Sequence, residues 1–393
     1  MRILSINCGS SSVRIAVHDA ERGSLSEHAK VSCSNVGKPA GRVRLRVSPS
    51  NQAENWTYKL ETHSQAVHHL LYLLDREHCL EGVQAVGHRF VHDGGLFDGP
   101  VHIGPEQRSK LEGVANLAPR HMPASLVALE AANIRLRQIP HYAVFDTHFH
   151  KGMPRVAQNT GLPAAFLSPQ VRRFGFHGLS CEYSVHWLRS NFADRFPSRL
   201  IVIHLGSGAS ATAVLDGDSV ETTMGFTPIS GIPMATRSGD IDFGAALHLA
   251  DQAGMTVAEL QSMLSERSGL CGLSGSSGDM ADLLVQAPDD PVAQSAIEYF
   301  CYRAALKIAG LTASMRGLDA IVFTGGIGEG SATIRQSICR QLDHLGVELS
   351  DTAHEPLISS TNSRIGVYVV RCDENSIIAR HVMKSQAEFA NPA

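Results

Sequence analysis

A β-branched run, a turn built of glycine and serine, and an alternating run open this 393-residue chain and come back about halfway along it. The first copy is Ile3-Leu4-Ser5-Ile6-Asn7-Cys8-Gly9-Ser10-Ser11-Ser12, continuing through Val13 to Val17. The second is Ile201-Val202-Ile203-His204-Leu205-Gly206-Ser207-Gly208-Ala209, continuing through Ala211 to Leu215. Aligning Gly9 with Gly206 sets the offset at 197 residues (206 − 9), so the chain reads as two related halves. A hairpin whose turn is only glycine and serine offers backbone N–H groups and hydroxyls at one point, which suits phosphate oxygens. Two such hairpins facing each other would grip a phosphate chain from both sides. Phosphoryl transfer is therefore the leading reading before any residue is assigned to catalysis.

A chain of this length exceeds one ordinary core, and two domains are expected. With 43% hydrophobic and 18% charged residues, it has the composition expected of a soluble globular protein. A net charge of −4 gives no electrostatic case for nucleic acid or an anionic membrane. No apolar run approaches the roughly 18 residues of a membrane span, and the first residues do not read as a signal peptide. The eight cysteines are scattered without a C-x-x-C pair, as in reduced, cytoplasmic proteins.

Between the repeats, periodicity places the elements. Residues 62–80 put Val67, Leu70, Leu71 and Leu74 on one helical face. Residues 84–91 read as a strand, residues 122–137 as a helix with Pro123 at its start, and residues 141–145 as a short buried strand. Around Lys151-Gly152-Met153-Pro154 the pattern breaks, as at a domain crossing. A helix over residues 292–316 carries Ala293, Ile297, Phe300, Ala304, Ile308, Leu311 and Met315 at spacings of three and four, which reads as a core face. A strand over 319–324 runs into Gly325-Gly326-Ile327-Gly328-Glu329.

The densest chemistry lies in Met224–Asp242, whose prolines and glycines exclude a regular helix or central strand. Arg237 sits inside this loop beside Asp240 and Asp242, and the plain alternative is a surface ion pair with one of them. Arg89 ends an apolar strand, a frequent address for active-site residues in α/β proteins. Two arginines from separate segments would supply the cations that a phosphoryl group in transit requires. His148 and His150, two apart, also allow a metal pair, but no further cysteine or glutamate completes a zinc set.

Taken in order, these motifs resemble the acetate kinase family: Asn7-Cys8-Gly9-Ser10-Ser11-Ser12, Gly87-His88-Arg89, Leu117-Ala118-Pro119, Phe145-Asp146-Thr147, Arg173-Phe174-Gly175-Phe176-His177-Gly178, the Met224–Asp242 loop, Gly325–Glu329 and Asp373-Glu374. The resemblance spans nearly the whole chain. It implies two duplicated α/β domains of the actin-like ATPase, ribonuclease H-like class with an active-site cleft between them. Residues 1–147 plus 376–393 would form the first domain, and residues 148–375 the second, with most of the nucleotide site. It also implies a cytoplasmic homodimer acting on a small carboxylate and ATP with Mg²⁺, or Mn²⁺ in its place. By the same resemblance Arg89 and Arg237 hold the carboxylate and the moving phosphoryl group. His177 donates to the transition state with His121 nearby, and Asp146 aligns the carboxylate. Asn7 and Glu374 position the metal. Ser10, Ser12, Arg14, His204, Gly206, Ser207 and Gly208 line the phosphates. Asp279 meets a ribose hydroxyl, and Gly325, Gly326, Ile327 and Gly328 leave room for adenosine.

Departures from the family pattern qualify this. Arg120 replaces a leucine that, with the positions of Val91, Phe176 and Pro228, walls the acetate methyl; it raises the alternative of a more polar acid. Ser207 stands for asparagine and Met122 for another asparagine. Ala281 stands for an arginine that stacks on the base, which keeps a donor such as pyrophosphate open. Asn375 follows Glu374 where a second glutamate is common. Direct in-line transfer giving acetyl phosphate and ADP is the expected reaction, with propionate as an alternative acceptor. A shape-switching ATPase clamp is the contrasting class, disfavoured because it would not call for Arg89, Arg237 and His177 together.

Overall fold

The computed structural model describes residues 1–390 apart from Arg22, Asn51, Arg120 and Pro169. The chain folds as two units: Met1–His148 joined by the segment from Asp373 onward, and Phe149–Cys372.

The first unit is built on eight strands, β1 (Arg2–Cys8), β2 (Ser12–Glu21), β3 (Ser24–Ser34), β4 (Gly41–Val47), β5 (Ala53–Tyr58), β6 (Val83–Phe90), β7 (Val101–His102) and β8 (His141–Phe145), in the order β5-β4-β3-β2-β1-β6-β8-β7. From β1 to β5 the ladder is an antiparallel meander, while β1, β6 and β8 run parallel. The parallel strands are buried along most of their length because both faces are covered. Helix His63–Arg76 is started by Thr62, whose side chain accepts from Gln65 N–H at 3.2 Å. Its Val67, Leu70, Leu71 and Leu74 are buried together with Ile6, Ile15 and Val31 of the sheet. Each such side chain stabilises the unit by roughly 1.5–3 kcal/mol.

Helix Glu374–Ala390 returns from the end of the chain and packs on β1, β2 and β6, burying Ile377, Ile378, Ala379 and Val382. Gly87 makes that contact feasible. A Cβ there would lie 2.6 Å from Ile378 and 2.7 Å from Val382, so any larger residue would lift the helix from β6.

The second unit has the sheet order β11-β10-β9-β12-β13, from β9 (Arg199–Leu205), β10 (Ala209–Leu215), β11 (Asp218–Thr222), β12 (Ala320–Thr324) and β13 (Gly366–Val369). Here β9, β12 and β13 are parallel. Helix Pro291–Met315 covers the sheet. Asp290 caps it, accepting from Val292 N–H at 2.9 Å, and Arg316 in a left-handed conformation ends it. Ala293, Ile297, Phe300, Ala304, Ile308, Leu311 and Met315 are each buried, so the periodic face is core.

The sequence repeat is a repeat of structure. β1 ends at Cys8 and β9 at Leu205; β2 begins at Ser12 and β10 at Ala209. Both steps equal 197 residues (205 − 8, 209 − 12). Each hairpin is closed across its turn, by Gly9 N–H on Ser12 O at 2.8 Å and by Gly206 N–H on Gly208 O at 2.9 Å. Met224–Asp242 forms neither helix nor strand. Among the described residues no helix is long and apolar enough to cross a membrane.

Candidate active site

In the first unit the polar residues gather where the parallel strands β1, β6 and β8 end. Such carboxyl ends are the usual ligand side of α/β sheets. Asn7 lies inside β1, opposite Arg14. Arg89 lies in β6 with a side chain only 12% exposed. Its Nε donates to Asp146 Oδ2 at 3.0 Å, Nη2 donates to the same oxygen, and Nη1 donates to Asn7 Oδ1 at 3.2 Å. Asn7 Nδ2 in turn donates to Glu374 Oε2 at 2.5 Å. Burial works against charge on Arg89, but Asp146 and then Glu374 outweigh it, and the guanidinium is held more firmly protonated than usual. Asp146 is buried, and its own N–H bonds Phe90 O at 3.0 Å, locking it to the end of β6.

The other candidates of this unit surround that array in the chain. Ser10 is exposed at the tip of the first hairpin, with Ser12 and Arg14 opening β2. His63 Nε2 lies 2.9 Å from Gly9 O and ties the tip to helix His63–Arg76. Val91 is buried directly after β6, and His121 is the N-cap of helix Met122–Arg135. Met122 is fully buried there. Arg120 lies outside the described residues.

In the second unit His177 and His204 stack, with ring centroids 4.2 Å apart. His177 takes a left-handed backbone (φ 59°) at the start of helix Gly178–Asn191, an uncommon conformation for a non-glycine residue and one that favours a functional reading. Its Nδ1 shares a 2.9 Å hydrogen bond with Ser210 Oγ, and His204 Nδ1 shares one of 2.8 Å with Ser180 Oγ. A Cβ on Gly208 would stand 3.1 Å from His177 Nε2 and 3.6 Å from Arg237 Nη1. The imidazole, the guanidinium and the glycine turn therefore meet at one point. Gly325 (φ 79°) approaches the same turn, since its Cβ would fall 3.1 Å from His204 Nε2.

Arg237 donates from Nη1 to Pro228 O at 2.9 Å. The neighbouring acids have other duties. Asp240 accepts from Gly231 N–H and pairs with Lys307, while Asp242 caps helix Phe243–Gln252. Ala235, of the same loop, donates its N–H to Ser207 O at 3.2 Å, and Gly278 packs on Ala235 O. Asp279 follows as the cap of helix Met280–Gln286, accepting from Ala281 N–H at 2.8 Å. Phe176 is buried beside His177. Both nitrogens of His150 are engaged, by Ser219 Oγ and Phe176 O at 2.9 Å each. Burial lowers its pKa to about 4, so it is a neutral core residue and not half of a metal pair with His148.

The model of the Acetokinase family matches residues 2–380. The chain belongs to that family. It is 39% identical over 399 residues to the acetate kinase of Rhodopseudomonas palustris (strain ATCC BAA-98 / CGA009), covering 97% of this chain and 98% of the relative. A crystal structure of a propionate kinase from Francisella tularensis superposes with a TM-score of 0.87 at 33% identity, over 97% of this chain and 98% of the other. The acetate kinase of Porphyromonas gingivalis gives 0.83 at 31%, over 98% and 99%. The two-sheet α/β fold of this family member is thus the actin-like class that the motifs imply.

Three residues support the candidate site in ways the sequence reading did not assign to them. Glu329 Oε1 accepts from Gly325 N–H at 3.0 Å and Cys372 N–H at 3.1 Å, binding the glycine segment to the residue before Asp373-Glu374. Arg335 donates to Gly328 O and Glu329 O at 2.9 and 2.8 Å. Asn375, buried, donates to Ser5 O and Ser5 Oγ at 3.0 Å each and anchors the turn that carries Glu374. Only the Glu in Gly325–Glu329 gave a sequence signal, an acid closing a glycine run. For a Mg²⁺ ion, the Glu374 carboxylate and the Asn7 amide oxygen are the hard oxygen donors such an ion takes, and Arg89 already orients Asn7 Oδ1.

Proposed function

We propose that this chain transfers the γ-phosphoryl group of ATP to acetate, reversibly, giving acetyl phosphate and ADP. A carboxylate oxygen attacks phosphorus, the bond to the ADP oxygen breaks, and no proton moves. A carboxylate is already a competent nucleophile, so alignment and charge neutralisation are the tasks left to the protein. The observation that carries the reading is Arg89, largely shielded from solvent yet held charged by Asp146 and Glu374 at the strand ends. Its fixed cation suits the substrate carboxylate, and Asp146 keeps its fork oriented.

Arg237 neutralises the oxygens of the moving group, and His177, oriented by Ser210, donates to them. Gly206, Ser207, Gly208 and His204 line the phosphates with Ser10, Ser12 and Arg14. Gly325 to Gly328 receive the adenosine, and Asp279 its ribose. His121 lies beside the reacting groups, and Val91, Phe176 and Pro228 face the acid's tail. Asn7 and Glu374 position Mg²⁺, which supplies charge neutralisation across the phosphates when bound. The chain is proposed to work in the cytoplasm as a homodimer, which light scattering on the pure protein would test.

Propionate is the second reading, favoured by the likeness to the Francisella propionate kinase. Trapping acyl phosphate as hydroxamate, over a panel of short acids and with ATP, GTP or pyrophosphate as donor, decides between them. We expect ATP with acetate to give the highest kcat/KM. One methylene in an apolar pocket changes that ratio by about 10–200-fold, so a propionate preference would be plain. Absence of acyl phosphate from every acid and donor rejects the proposal.

A further inference from the structure

We infer that His18, Glu27 and Asp373 form a binding site for a transition-metal dication of the zinc class, separate from the oxygen donors assigned to Mg²⁺. His18 on β2 stands directly across the ladder from Glu27 on β3, where the register shifts between Val17 and His18. Asp373 arrives from the segment leading into helix Glu374–Ala390. One donor atom from each of the three lies within 4.8 Å of the others.

The decisive observation is the imidazole. His18 is 2% exposed, and neither ring nitrogen has a hydrogen-bond partner. A buried polar group left without a partner is unfavourable, and native structures rarely keep one without cause. Here its partner is the cation. Burial lowers the pKa of His18, opposed by Asp373 and Glu27 and reinforced by Lys30 and Arg380, so the ring is neutral, which is the ligating form. One imidazole nitrogen with two carboxylate oxygens is a catalogue of donors for Zn²⁺, Co²⁺ or Mn²⁺, with water completing the shell. Mg²⁺ and Ca²⁺, which prefer oxygen alone, are poorly served by it.

Lys30 holds the cation's place in this structure. Its ammonium lies 2.9 Å from Asp373 Oδ1 and 3.6 Å from Glu27 Oε2, while Arg46 pairs with the other Glu27 oxygen. Lys30 is 29% exposed on a flexible stem, so its ammonium can leave for water when a dication arrives. Metal and lysine therefore compete for the same two carboxylates. Because Asp373 directly precedes Glu374, occupancy would tie β2 and β3 to the residue before the proposed Mg²⁺ ligand.

The test is titration calorimetry of the full chain, stripped with EDTA, with Zn²⁺ added against excess Mg²⁺. We expect one Zn²⁺ per chain, retained in Glu374→Gln, which separates this site from the Mg²⁺ donors. His18→Leu should weaken binding by more than about tenfold, as should the milder Glu27→Gln. Lys30→Met should strengthen it. Co²⁺-loaded protein should show visible absorption bands that His18→Leu removes. The inference is overturned if no Zn²⁺ binds beyond what Mg²⁺ displaces, or if binding is indifferent to the Glu27 and Lys30 substitutions. Activity plays no part in this readout, so its failure would leave the kinase reading untouched.

Discussion

Arg89 and Arg237 are surrounded by different partners, and their removal should fail in different ways. Arg89 faces the buried carboxylate of Asp146, and taking away one member of such a pair costs about 3–5 kcal/mol of stability. Arg237 donates to a backbone carbonyl in a partly exposed loop, where the loss is closer to ~1 kcal/mol. Both substitutions to alanine should lower kcat by a factor on the order of 10² or more, as expected when a cation aimed at developing charge is removed. Thermal melts should then separate them: Arg89→Ala melts clearly earlier, Arg237→Ala close to wild type. Near-normal kcat in either variant would withdraw that residue from the mechanism. The arginines themselves were legible in the sequence from their addresses, a strand end and a Pro/Gly-rich loop. The partners of Arg89 could be named only through the family resemblance, because Asn7, Asp146 and Glu374 are far apart along the chain and meet only through the strand order.

At the level of elements, the glycine turn of β9 and β10 is shaped by what must approach it. A methyl group on Gly208 would come within 3.1 Å of His177 Nε2 and 3.2 Å of its Cε1, tight enough to push the ring by a few tenths of an ångström. On Gly206 it would meet only ordinary contacts, the nearest at 3.6 Å. Gly208→Ala should therefore lower kcat well below that of Gly206→Ala, with both proteins melting alike. Equal losses would mean that the turn serves the fold and not the imidazole. Helix Pro291–Met315 and β8 were readable from periodicity and apolar runs because propensity and packing agree in them. Helix Gly325–Gly330 was not, since four of its six residues are glycine, each about 1 kcal/mol worse than alanine in a helix. Side-chain bonds at Glu329, one of them from the distant Cys372 N–H, and from Arg335 hold it, and no periodicity announces them.

For the molecule as a whole, the first unit is discontinuous in sequence. Its sheet is finished by Met1–His148, but one face of β1, β2 and β6 is covered by helix Glu374–Ala390. A chain ending at residue 372 should leave Ile3, Ala85 and their neighbours without Ile377, Ile378, Ala379 and Val382. Limited proteolysis should then digest residues 1–148 while Phe149–Cys372 resists. Survival of both fragments would show that the returning helix is dispensable. The twofold plan of the chain was legible from the 197-residue offset alone, since a hairpin is a local signal. That the last segment joins the first unit was expected, for residues 376–393, only through the family resemblance, because nothing in an amphipathic helix by itself names its address.

That arrangement has a consequence for how the protein is born. As the polypeptide leaves the ribosome, its opening portion emerges lacking its cover and must wait through more than half of synthesis. The middle portion, uninterrupted, is able to mature first. The returning segment, made after both sheets, also delivers Glu374, so premature termination anywhere upstream of it should yield material that is both incompletely folded and without the acid assigned to the metal.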